Sequence, residues 1–159
     1  MFVEEVMRLG VPIALAQERL LAYLQVDGLQ TASSDAFTDG QARLVHAGFA
    51  GLRKQVAVQS LPAYLRGDTT VIPIRWVATG PVADLFPPLD ANVELDPAEG
   101  GTSQIALRGS YRPPLGRVGE SLDQVLLHQV AGATVRGFLT HLSLAILAPQ
   151  AAVPTRGSA

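Results

Sequence analysis

Cysteine is absent from all 159 residues, which removes disulfides, thiolate nucleophiles and cysteine-ligated metals before any pattern is read. The absence fits a reducing compartment. Charge of either sign is also scarce. Asp, Glu, Lys and Arg together make up 16% of the chain, with a formal charge of -2 and an isoelectric point near 5.9. No basic field of the kind that gathers nucleic acid is present, and no nucleic-acid partner is expected. The histidines His46, His128 and His141 lie far apart and make no HExxH or other paired-ligand spacing, so no metal and no cofactor are expected. Phosphate-cradling loops of the GxGxxG or GxxxxGK[ST] type are missing after any strand. Ser103, Ser110 and Ser121 lack the GxSxG context of a nucleophile elbow. Long apolar runs are missing too. The greasiest stretch, Leu142 to Ala148, stops at Pro149, well short of the roughly 18 uninterrupted apolar residues that a membrane span requires. The amino terminus MFVEEVMRLG carries two glutamates where a secretory leader would carry positive charge. A cytoplasmic location is therefore expected.

What the chain does have is apolar surface. Apolar residues make up 48% and mean hydropathy is +0.25, more than one small core consumes. The surplus calls for a cavity, a subunit interface or both. The length suits one domain able to bury a core without metal or disulfide support. A single domain over residues 1–148 is expected, followed by a disordered tail over 149–159, PQAAVPTRGSA.

Residues 2–9, FVEEVMRL, read as a first strand ending at Gly10. Pro12 then suits the start of a helix, and Ile13, Ala16, Leu20 and Leu24 follow at helical spacing up to Asp27-Gly28. From Leu29 to Leu61, glycines and aspartates punctuate short runs that read as an antiparallel meander, with Asp39-Gly40 as a hairpin signal. The run TTVIPIRWVAT is the most β-prone of all, although Pro73 inside it favours an edge or a bulge. GPVADLFPPLD, residues 80–90, reads as a loop and a candidate lid. ANVELDP and TSQIALRGSY form a final pair of strands around Ala98 to Gly101. Ile105, Leu107, Gly109 and Tyr111 share one face of the last strand; Arg108, Ser110 and Arg112 share the other. A long amphipathic helix from about Gly119 to Leu147 closes the chain, apolar over most of its circumference.

The junction IALRGSYRPPLGRVGESLDQVLL, where a strand meets Pro113-Pro114, Gly116 and Gly119 before the long helix, resembles that of the START-like helix-grip superfamily, which includes Bet v 1-like proteins and polyketide cyclases and dehydrases. The resemblance implies an α+β helix-grip fold, a curved antiparallel sheet of about seven strands wrapped around a carboxy-terminal helix. One departure stands out, because that family carries two helices after the first strand and VDGLQTASSDAF shows no second apolar stripe. The implied function is binding of a small hydrophobic molecule, lipid or polyketide-like, between sheet and helix. The expected lining is Val56, Val58, Ile74, Trp76, Ile105, Leu107, Tyr111, Leu126, Val130 and Ala133. Two alternatives stay open: a cyclase or dehydratase using Tyr111, Arg108 or His128, and a homodimeric interaction module with a vestigial cavity. Arg75 and Arg108 alternate away from the apolar face and are expected to be solvated.

Overall fold

A computed structural model describes residues 2–36, 55–79, 88–111 and 124–148. The strands are β1 (Phe2–Leu9), β2 (Gln55–Ser60), β3 (Tyr64–Arg66), β4 (Thr69–Thr79), β5 (Leu89–Pro97) and β6 (Ser103–Tyr111). The helices are α1 (Ile13–Leu24), α2 over residues 28–36, and α3 (Gln124–Leu147). The sheet runs β1-β6-β5-β4-β2, antiparallel throughout, with β3 also on β4. The hinge over 112–119, the 80–87 part of the expected lid, the Asp39-Gly40 hairpin and the tail lie outside the described residues.

Pro73 finds a position that costs no ladder bond. On one side it stands opposite Asn92 of β5. On the other side β2 pairs with β4 as far as Ile74 and β3 takes over from Val71. The missing N–H therefore falls in the gap between two short strands, and the Pro73 carbonyl still accepts from the Leu61 N–H at 3.0 Å.

The helix starting at residue 28 corrects the reading of this stretch as the first run of a meander. Its stripe is Leu29, Ala32, Ser33 and Ala36, at helical spacing and buried, but built of small residues rather than large ones. The small size is required by contact. A Cβ on Gly137 of α3 would lie 3.3 Å from Ala36 Cα, so the two backbones approach where only small side chains fit. Asp27, in the left-handed region at φ 53°, turns the chain between α1 and α2. Its carbonyl accepts from the Gln30 and Thr31 amides.

β6 and β5 approach closely at Gly109. A Cβ there would meet Ala91 Cβ at 2.5 Å and the Asp90 carbonyl at 2.8 Å, so glycine is what allows β6 and β5 to close up on their concave side. That concave side receives α3. Leu139, Leu142 and Ile146 of the helix and Leu9, Ile72, Leu95 and Ile105 of the strands are fully buried, joined by Ala16 and Leu20 of α1. Arg19 of α1 donates to the Ile146 carbonyl at 2.7 Å, placing a cation at the carboxy-terminal end of α3.

Candidate functional site

Strand register sorts the inner face into rows. Thr70, Leu95, Ile105 and Met7 form one, Ile72, Val93, Leu107 and Glu5 the next, then Ile74, Ala91, Gly109 and Val3. The fourth is Val58, Trp76, Leu89 and Tyr111. The first two rows are buried beneath the second half of α3 from β4 to β6 and partly exposed only at β1, where Arg136 meets Glu5 at 2.9 Å and the Ser143 hydroxyl meets the Met7 sulfur at 3.6 Å. The fourth row is open elsewhere. Val58 on β2 and Leu89 on β5 point inward yet remain half-buried.

Of the residues expected to line a cavity, the structure brings Val58, Ile74, Trp76, Ile105, Leu107 and Tyr111 to one interior. They divide between two roles. Ile105 and Leu107 are wholly buried among other side chains and belong to the packed core. Val58, Trp76 and Tyr111 occupy the less closed end, and Leu89 joins them there. Ala133 departs from the expectation: it falls on the face of α3 that it shares with exposed Arg136, Thr140 and Leu144. Val56 pairs with Ala78 in the β2–β4 ladder. Leu126 and Val130 fall on the first half of α3. The side chains of these last three, and of His128, lie outside the described part.

Trp76 is held in place from two directions. Its ring meets Phe138 edge-on at 4.8 Å between centroids, and its indole N–H donates to the Ser33 hydroxyl at 2.9 Å. Ser33 in turn donates to the Leu29 carbonyl at 2.6 Å, so α2, which the sequence reading missed, is what orients the tryptophan. Gln30 of α2 also accepts from the Val58 N–H at 3.0 Å. Tyr111 is buried, and burial raises its phenol above the ordinary value of 10.0. It stays protonated at neutral pH. Glu5 and Tyr111 are the ionisable side chains on the inner face among the described strand residues, and Glu5 is taken up by Arg136.

The outer face holds the charge. Arg108 faces Glu4 across β1 and β6 at 2.7 Å and also pairs with Glu94, whose other oxygen meets Arg66 at 2.8 Å. The Glu94 side chain is only 5% exposed. The expectation of a simply solvated Arg108 is thus corrected: it neutralises a buried carboxylate, and the hydrogen bond to Glu4 raises its pKa despite partial burial, with Glu94 adding to the effect. Being on the outer face, Arg108 cannot touch a molecule held between sheet and α3. Arg75 also points outward, 3.6 Å from Asp90, with both side chains largely exposed. An open depression of about 720 Å³ crosses this face, bordered by Phe2, Gln59, Leu61, Arg75, Asn92 and Arg108. It is wide open to solvent, and the two arginines on its border are engaged by carboxylates. Among the described residues no group of His, Asp or Glu could hold a metal ion, and no helix is long and apolar enough to cross a membrane.

No family model and no curated protein matches the sequence. Solved structures do resemble the fold. TTHA0849 from Thermus thermophilus matches with a TM-score of 0.51 at 15% identity, over 92% of this chain and 97% of that one. Ara h 8.0201 matches at 0.45 with 15% identity, over 92% and 97% of the two chains. The Zhui aromatase/cyclase from Streptomyces matches at 0.41 with 13% identity, over 93% and 96%. At such identities the likeness is one of fold. The fold is an α+β helix-grip: an antiparallel sheet, two helices after the first strand, and a long last helix packed on its inner face.

Proposed function

We propose that this protein binds a small hydrophobic molecule, lipid or polyketide-like, between the Val58, Trp76, Leu89, Tyr111 row of the sheet and the first half of α3, without carrying out chemistry on it. The observation that supports this reading most is the uneven closure of the interior. The rows through Leu95 and Val93 are closed except at their β1 ends, Met7 and Glu5, while inward-facing Val58 and Leu89 of the fourth row keep part of their surface accessible. Apolar side chains directed inward and left incompletely covered gain from an apolar guest. A ligand losing about 300 Å² of apolar surface gains roughly 7 kcal/mol before ordering costs, enough for micromolar affinity.

The chemistry of the face supports binding over turnover. Glu5 is paired with Arg136, Tyr111 keeps its proton, and Arg108 stands on the opposite side of the sheet. Among the described residues the face offers shape, an indole and a phenol, whose rings orient a guest by stacking. The test is displacement of an environment-sensitive hydrophobic dye by fatty acids or aromatic polyketides. Saturable binding with competition by one of these classes is expected. Dye fluorescence that never saturates, or that no apolar competitor displaces, would overturn the proposal.

A further inference from the structure

We propose that the free edge of β1 is a self-association surface, on which a second copy of this chain adds its own β1 in antiparallel register centred on Val6. All eight residues of β1 pair with β6 in unbroken register. β1 ends the sheet, and among the described residues nothing pairs with its other edge. Such a strand presents a row of unpaired amides and carbonyls to any chain of matching pattern.

The pattern on the outer face identifies the occupant. Glu4, Val6 and Arg8 point outward and are exposed, Val6 at 44%. Centred on Val6, the antiparallel pair sets Glu4 opposite Arg8 of the second copy, Val6 opposite its twin, and Arg8 opposite Glu4, so the twofold axis makes the charge contact twice. Other registers fail. Centring on Glu5 places two carboxylates opposite each other, centring on Met7 sets Arg8 against Val6, and a half-step shift mixes outer with inner residues.

The charge network within one chain points the same way. Arg66, Glu94, Arg108 and Glu4 form an alternating row of charges that ends on a carboxylate at the β1 edge. Arg8 of the second copy is the cation that continues it. Arg8 makes no ion pair with any described residue of its own chain, so this contact would give it a partner without breaking one.

Sedimentation equilibrium of the full chain at micromolar concentration tests the register as well as the association. The wild type is expected to be a dimer. Arg8→Glu and Glu4→Arg each create two like-charge contacts and should weaken association by about tenfold or more. An equimolar mixture of the two variants restores both pairs and should recover wild-type affinity as a heterodimer. Arg8→Glu breaks no ion pair with a described residue of its own chain, so at concentrations low enough to dissociate both proteins its thermal midpoint should match that of the wild type. If Glu4→Arg unfolds through loss of the Arg108 contact, Val6→Lys puts two cations at the centre of the seam and should also give a monomer. A monomeric wild type overturns the proposal. So does undiminished association of Arg8→Glu or Val6→Lys, or a mixture of folded charge variants that stays monomeric.

Discussion

The two ends of the space between sheet and α3 are built from the same residue types and finish differently. At one end Leu9, Leu20, Ile105, Leu139, Leu142 and Ile146 close on one another until none is accessible. At the other, Val58 and Leu89 face inward beside Trp76 and Tyr111 and stay partly uncovered. The difference lies in what stands opposite each row rather than in hydrophobicity. α1 backs the closed end, with Ala16 and Leu20 filling the space beneath the last turns of α3. The other end is approached by α2, whose short side chains bring it near α3 at Ala36 and Gly137. Apolar composition sets how much can be buried; the size of the opposing side chains sets whether it is.

Breaking the closed end gives the largest expected effect. Leu142→Ala should cost about 3 kcal/mol in urea unfolding, because the neighbours collapse only partly into the space left. It should leave apolar ligand affinity within a factor of about two. Leu89→Ala should invert that balance, losing only about 1 kcal/mol of stability because the leucine is already half-buried, and weakening ligand binding by about tenfold through lost contact area. Equal stability losses at the two sites would show that the ends do not differ in packing.

The smallest effect concerns pH. Burial holds the Tyr111 phenol above 10.0, so the unfolded chain releases this proton first as pH rises. The associated stability is fully present below pH 10 and is lost as pH climbs from 10 toward the folded-state value. Tyr111→Phe should flatten this alkaline decline in thermal melts. Some decline should persist through Tyr23, which burial and then Asp35 shift in the same direction.

Much of the fold was legible because its signals are large and periodic. Thr69 to Thr79 is rich in β-branched residues, Ser103 to Tyr111 places Ile105, Leu107 and Tyr111 on one face, and α1 announces itself by Pro12 followed by Ile13, Ala16, Leu20 and Leu24. α2 was illegible for a physical reason. Its buried stripe has the right spacing, but three of its four members are Ala32, Ser33 and Ala36, which carry little hydrophobic weight and are small because two helices nearly touch there. Leu29, Ala32, Ser33 and Ala36 taken together were the signal available. At the site, the inward direction of Trp76 and Tyr111 followed from alternation. That Ile105 and Leu107 belong to the packed core, and Leu89 to the open end, depended on which helix lies opposite each row. The buried Glu94 and its two arginines depended on cross-strand register, which no single strand displays.

Methyl-resolved NMR during titration with a competing fatty acid or aromatic polyketide tests the central claim most directly. Saturable shifts are expected at Val58 and Leu89, with Leu139, Leu142 and Ile146 unmoved. Shifts concentrated on Leu142 and Ile146, or confined to the outer face around Val6 and Leu61, would contradict it.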